Sequence, residues 1–273
     1  MIFTTFYFSG TGNTRWVIEQ FNGILEESSH QAASFNIDNF NQISKEVLTG
    51  ILKNSAYIGL AHPIYGADVP PIMKQFICLL TDIIQENKIP AKPLYIINTF
   101  GYINAFGPFA ARKLLDRGCY KLKAYCNIRL CNNVSTHSHK TAPITDEKLS
   151  IRKQHAVVEL HNLIKDILSN KKHMKGIGFY LLPGMVIRKI SNQSVKKHYQ
   201  TLSVQTSTCT KCMLCVQGCP THSISFADEQ FLFSATCTAC MRCYNFCPTA
   251  SVLINEVFTA PQDYFRYRGP VKS

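Results

Sequence analysis

Apolar positions along the first 170 residues come in blocks whose period switches repeatedly between that of a strand and that of a helix. Residues 2–8, Ile-Phe-Thr-Thr-Phe-Tyr-Phe, form an aromatic-rich run of strand length, the pattern of a strand covered on both faces in a parallel sheet. A glycine- and hydroxyl-rich stretch over residues 9–14 follows, and then Trp16, Val17, Phe21, Ile24 and Leu25 recur at helical spacing. The second unit is fainter, with a strand over 32–37 and a crossover helix over 43–53. Residues 56–60 read as a third strand, leading through 61–66 to a helix that carries Met73, Phe76, Ile77 and Leu80. Pro71 stands where a first-turn proline would. A fourth strand is predicted over 94–98 with a helix over about 108–117, and a fifth strand over 122–130. A polar loop over 131–144, containing His137 and His139, precedes a helix with Val157, Val158, Leu160, Ile164, Ile167 and Leu168. The two histidines permit a metal site, although a solvated loop is the better expectation. Five strands alternating with helices predict an α/β fold, a doubly wound parallel sheet in the order 2-1-3-4-5. Its ligand is expected at the carboxyl ends of the strands, where the order reverses.

The pattern changes near residue 170. We expect an α/β domain over 1–169, a basic linker over 170–202, a cysteine-rich domain over 203–257 and a tail over 258–273. Between residues 170 and 227 lie Lys171, Lys172, Lys175, Arg188, Lys189, Lys196, Lys197 and Lys211, with no Asp or Glu. The apolar stretch over 176–187 is too short for a bilayer span of about 20 residues. Its flanking cations are compatible with peripheral membrane contact, but packing between the two halves is the expectation we prefer. The tail mixes Tyr264, Phe265 and Tyr267 with Arg266 and Arg268, suited to covering the cysteine-rich domain or to touching RNA.

That domain carries the most specific chemistry. It reads Cys209-x2-Cys212-x2-Cys215-x3-Cys219-Pro220 and then Cys237-x2-Cys240-x2-Cys243-x3-Cys247-Pro248, the same C-x2-C-x2-C-x3-C-P run twice. Two-residue gaps fold three thiolates onto one tight loop, at three corners of an iron–sulfur cube, and the fourth cysteine serves the other cube. A zinc module pairs separated C-x2-C knuckles and needs neither the third cysteine nor the proline. A disulfide framework suits a small secreted domain, and the N-terminus shows no basic, apolar leader. The run resembles bacterial ferredoxins with two [4Fe–4S] clusters. The resemblance assigns Cys209, Cys212, Cys215 and Cys247 to one cluster, and Cys237, Cys240, Cys243 and Cys219 to the other.

The N-terminal loop, Ser9-Gly10-Thr11-Gly12-Asn13-Thr14, joins a strand to a helix N-terminus, where backbone N–H groups and the helix dipole favour an anion. It lacks the G-K-[ST] of a nucleotide triphosphate loop and the third glycine of G-x-G-x-x-G, and suits one terminal monophosphate. It looks like the flavodoxin family's phosphate loop, which implies Ser9, Thr11, Gly12, Asn13 and Thr14 as ligands of the FMN phosphate. Pro63-Ile64-Tyr65-Gly66 resembles that family's second flavin loop, implying Tyr65 packed on the ring and the Gly66 backbone beside its N5. Thr99, Phe100, Gly101 and Tyr102 take the place of the third loop. His62 is a candidate proton donor, with a structural role the plainer reading.

The 273-residue chain carries a net charge of +12 with 46% hydrophobic and 11% aromatic residues, a core-forming composition with a surface that steers acidic partners. Cys78, Cys119, Cys126 and Cys131 form no motif and read as small apolar residues. As a whole the chain resembles the flavodoxin–ferredoxin fusion proteins of anaerobic microbes. That implies two [4Fe–4S] clusters, FMN, a cytoplasmic location and electron exchange with an acidic redox protein, with no nucleic acid partner. A flavin-dependent reductase of a quinone or nitro compound is the enzyme alternative, and a zinc-bearing nucleic-acid module the third class. No second dinucleotide loop is present, so an NAD(P)H site is not expected.

Overall fold

The computed structural model describes residues 1–102, 107–175 and 181–270. Strands β1 (Ile2–Tyr7), β2 (Gln31–Asn36), β3 (Tyr57–Pro63), β4 (Lys92–Phe100), β5 (Tyr120–Arg129) and β6 (His173–Met174) form one sheet. They are parallel throughout, in the order β2-β1-β3-β4-β5-β6. The five expected strands stand in the expected order, and the sheet is a doubly wound α/β sheet. The sixth strand is an addition at the edge. Two residues leave no periodic trace, and β6 is fixed instead by buried His173, whose ring nitrogens meet Asp166 at 2.8 Å and Glu159 at 3.0 Å.

Helices α1 (Asn13–Glu27), α2 (Lys45–Asn54), α3 (Pro71–Glu86), α4 (Gly107–Leu114) and α5 (Asp146–Leu168) connect the strands. Alternation along β1 sends Phe6 and Phe8 to a core shared with Met73 and Phe76 of α3, and Phe3 to one shared with Phe21 of α1 and Leu160 of α5. Each of these fully buried large side chains contributes about 1.5–3 kcal/mol. Helix starts follow their sequence signals. Ser44 accepts a hydrogen bond from the Val47 N–H, Thr145 from the Lys148 N–H, and Pro71 opens α3.

The segment over 170–202 is structured where it is described, holding β6, α6 (Leu181–Lys197) and a short turn at His198–Thr201. Residues 176–180 of the apolar stretch, and the side chains of 181–187, lie outside the described residues. From α6, Asn192 donates to Asp68 at 3.0 Å and Arg188 pairs with it at 3.1 Å. No described helix is long and apolar enough to cross a membrane.

The cysteine-rich part is a small α+β unit. Strand β7 (Leu202–Val204) and helix α7 (Leu214–Gln217) precede the hairpin β8 (Ile224–Ala227) and β9 (Gln230–Phe233). Helix α8 (Arg242–Phe246) and strand β10 (Val252–Ile254) follow. β10 pairs antiparallel with β7, so the ends of the unit close on each other. The doubled motif is a doubled backbone. Lys211 and Met213 adopt positive φ, 51° and 59°, and so do Ala239 and Met241 at 54° and 61° (211 + 28 = 239, 213 + 28 = 241).

Candidate functional site

Three loops at the carboxyl end of the sheet converge on one cavity of about 380 Å³, lined by Ser9, Gly10, Thr11, Asn13 and Thr14, by Pro63, Ile64 and Tyr65, by Thr99, Phe100 and Gly101, and by residues 131–133. The first loop turns on Gly12, whose φ of 109° requires glycine at the start of α1. Ser9 Oγ accepts from the N–H groups of Gly12 and Arg15, both at 3.2 Å. The Thr14 and Thr99 hydroxyls bond at 2.8 Å, tying the first loop to the third. Ile64 N–H donates to the Thr99 carbonyl at 3.0 Å, which ties the second loop to the third as well. Ser9, Thr11 and Thr14 are buried hydroxyls facing the helix N-terminus.

The eight motif cysteines gather in two groups. Cys219, Cys237, Cys240 and Cys243 line a cavity of about 350 Å³, and Cys209, Cys212, Cys215 and Cys247 one of about 330 Å³. We call these the inner and outer quartets, since Cys240 is buried and Cys212 exposed. Backbone N–H groups point at sulfur in both. Ser223 donates to Cys219 and Ser251 to Cys247, each at 3.2 Å, and Ala239 to Cys237 and Lys211 to Cys209, each at 3.4 Å. Burial pushes the Cys240 thiol up to about 12 against the pull of Arg242, and Cys215 up to about 11. Burial also works to raise Cys247, yet hydrogen bonds from Thr249, Val252 and Ser251 bring it below the usual thiol range. Among the described residues no three Cys, His, Asp or Glu side chains close on a single metal ion. The quartets enclose spaces rather than points.

The inner quartet sits directly on the first loop. A Cβ on Gly10 would lie 2.8 Å from the Cys240 carbonyl and 2.2 Å from the Tyr65 hydroxyl, so only glycine allows the approach. Arg242, between Cys240 and Cys243, crosses the junction. It donates from Nη2 to the Ser9 carbonyl at 2.7 Å, from Nε to the Gly10 carbonyl at 2.9 Å and from Nη1 to the Gly218 carbonyl at 2.9 Å. Nη1 also meets Asp38 at 2.7 Å. Burial works to lower the guanidinium, but the Asp38 carboxylate holds it above its usual range. Around it, Asn245 donates to the Asn133 carbonyl at 3.0 Å, Tyr244 to the Ser135 carbonyl at 2.7 Å, and Asn39 N–H to the Pro220 carbonyl at 3.2 Å. The tail closes the arrangement. Tyr267 donates to Asn13 Oδ1 at 2.5 Å, and Gly269 Cα would lie 3.0 Å from a Cβ on Gly12.

No protein-family model and no curated protein matches the chain. Solved structures resemble part of it. The rubredoxin:oxygen oxidoreductase of Desulfovibrio gigas is 12% identical with a TM-score of 0.39, over 60% of this chain and 37% of that one. A flavodiiron protein from Giardia intestinalis is 15% identical with a TM-score of 0.39, over 62% and 38%. A WrbA-like flavodoxin from Agrobacterium tumefaciens is 15% identical with a TM-score of 0.44, over 62% and 99%. The chain thus spans well under half the length of the first two.

Of the residues singled out in the sequence, Gly66, Tyr102 and His62 lie away from the cavity. Gly66 sits in a tight turn closed by Tyr65 and Asp68, and its Cα faces Ser191 and Val195 of α6. Tyr102 is 51% exposed and stands edge-on to His139. Gly12 shapes the loop without lining the cavity. Tyr65 does line it, but packs edge-on against Phe8 and reaches toward Cys240. His62 is fully buried and donates from Nδ1 to the Pro63 carbonyl at 2.9 Å, inside the sheet instead of at the cavity. His137 and His139 belong to no metal group among the described residues. Cys131, Asn132, Asn133 and Arg242 join the site without a sequence signal for it, because a polar loop and an arginine inside a cysteine motif carry no mark of their distant partners.

Proposed function

We propose that this protein relays electrons between two [4Fe–4S] clusters and a bound FMN, and exchanges them with another redox protein. The residues fit these groups. Each quartet gathers four cysteines of the doubled C-x2-C-x2-C-x3-C-P run around one enclosed space, with N–H groups aimed at sulfur, which suits an iron–sulfur cube better than a zinc ion. The glycine and hydroxyl loop at the start of α1 fits a terminal phosphate, and the loops after β3 and β4 form the remaining walls for a ring. When bound, each cluster carries one electron and FMN holds one or two, so single electrons can be stored as a pair.

One observation carries this reading: Cys240 of the inner quartet lies against Gly10 of the phosphate loop. Tyr65 and Gly10 separate the two cavities by little more than a side chain, and Arg242 and Tyr267 of the tail bond across the junction. The outer quartet, with exposed Cys212, is the natural port to a partner, and the chain's charge of +12 favours an acidic one. A reductase of a small molecule is the second reading. An open groove of about 900 Å³ shares Phe100 with the flavin cavity and is lined by Arg129, Arg152 and His155.

Anaerobically purified protein decides the matter. Iron, sulfide and flavin are measured, with absorption spectra before and after dithionite. About eight irons and eight sulfides with one FMN per chain support the relay. Zinc without sulfide would sink it, and iron without flavin would remove its first half.

A further inference from the structure

The phosphate loop after β1 has no cation of its own. Between Ser9 and Thr14 there is no Lys or Arg, and Arg15, the next residue, points outward with 62% of its side chain exposed, beside Glu19. The cation that reaches the loop comes from more than 230 residues away. Arg242 lays its guanidinium against the carbonyls of Ser9 and Gly10, at 2.7 and 2.9 Å, with its side chain only 19% exposed.

The side of the loop it occupies matters. In a trans peptide the C=O and N–H point in opposite directions. The Ser9 carbonyl shares its peptide with the Gly10 N–H, and the Gly10 carbonyl shares its own with the Thr11 N–H. Holding both carbonyls at one guanidinium therefore directs both N–H groups away from it. Among the described residues neither N–H has an acceptor within the chain. The buried hydroxyls of Ser9, Thr11 and Thr14 stand in the same loop. A fixed pair of peptide dipoles, with a cation behind them, makes an anion site without any cation in contact with the anion.

We propose that Arg242 is a positioning residue of the FMN phosphate site, setting the Gly10 and Thr11 N–H groups from behind the loop. This rests on the flavin reading above and deepens it. The residue also joins the two cofactors' sites, since it lies between Cys240 and Cys243 in sequence. The phosphate site is complete only while the inner quartet's loop is docked on it. Asp38, bonded to the same guanidinium at 2.7 Å, fixes the arginine's orientation from the β2 side.

The test uses the full-length, iron-loaded chain and compares the affinities of FMN and riboflavin by fluorescence titration. Riboflavin has the same ring and lacks the phosphate. In the native protein FMN is expected to bind more tightly than riboflavin. Arg242→Gln is expected to lower the FMN affinity about tenfold or more, the scale of one lost charge-assisted contact, and to leave riboflavin binding unchanged. Arg242→Lys, which keeps the charge but reaches fewer carbonyls, should fall between and serves where Arg242→Gln does not fold. An unchanged ratio of the two affinities in the variant overturns the proposal. So does an equal loss of both ligands, which would make Arg242 a general brace. A native chain that binds neither flavin brings down the flavin reading itself, and this inference with it.

Discussion

His62 shows how one residue's surroundings decide between chemistry and structure. Its position before Pro63, at the end of a strand that leads to the second loop of the cavity, is where a proton donor would be sought. The ring is nevertheless fully buried, and desolvation drives its pKa down from 6.5 to about 4, so it is neutral in the folded protein. Nδ1–H is committed to the Pro63 carbonyl, and Nε2 has no partner among the described residues. The consequence is a pH dependence of stability. The unfolded chain takes up a proton near the ordinary histidine value, and the folded chain does so only near 4. Stability is therefore complete above about pH 6.5 and falls as pH drops from there toward 4, by about 1.4 kcal/mol per unit. Between pH 7 and pH 5 the native protein should lose about 2 kcal/mol more than His62→Gln in isothermal denaturation. Equal losses would show that the imidazole is protonated in the fold.

Among the described residues, α6 meets the loop after β3 through polar contacts to Asp68 and a close approach to Gly66. Asp68 is 1% exposed in its side chain and receives Lys74 at 2.5 Å, Arg188 at 3.1 Å and Asn192 at 3.0 Å, besides the Val69 N–H at 2.8 Å. Desolvation alone would raise this carboxyl, but Lys74, Asn192 and Arg188 together hold it below the usual range. Gly66 sits so close to α6 that any side chain there would strike Ser191. Asp68→Asn should leave two cations without their shared anion. We expect a loss of roughly 2–4 kcal/mol, less than a fully enclosed pair because both cations are partly exposed. Limited proteolysis should then cleave within residues 181–197 before any other segment, and early cleavage elsewhere would refute a role for Asp68 in holding α6 in place. This contact also marks where the sequence stops being legible. Residues 2–8 and 94–98 declare themselves as buried strands because the period of two and the apolar run are local. So are the glycine loop and the doubled cysteine spacing. Asp68 meeting Asn192, or Arg242 meeting Ser9, depends on chain separations of 124 and 233 residues, which no local pattern encodes. The two-residue β6 is too short to have a period at all.

The whole molecule places its two cysteine quartets in unequal settings, although their cysteine spacing is identical. The outer quartet touches solvent through Cys212, beside exposed Leu214. The inner quartet is buried against Gly10 and Tyr65, and Arg242 and Asn133 both bond to groups at that junction. If both hold clusters, removing one ligand from each should not have equal results. Cys212→Ser should lower the iron content from about eight to about four per chain and leave the flavin content at its native level, because nothing at the phosphate loop depends on that corner. Cys240→Ser should cost the same iron. It also places a hydroxyl without a partner in a buried site, a penalty of about 1–3 kcal/mol, at the point where the cysteine unit meets the loop. Its flavin content should fall together with its iron. Iron, sulfide and flavin analysis of the two variants side by side reads this directly. Flavin lost equally from both would mean that the unit docks as one rigid body whose two quartets matter alike. Flavin retained in both would separate the phosphate loop from the inner quartet, and leave the short path through Gly10 and Tyr65 without a role in holding the flavin.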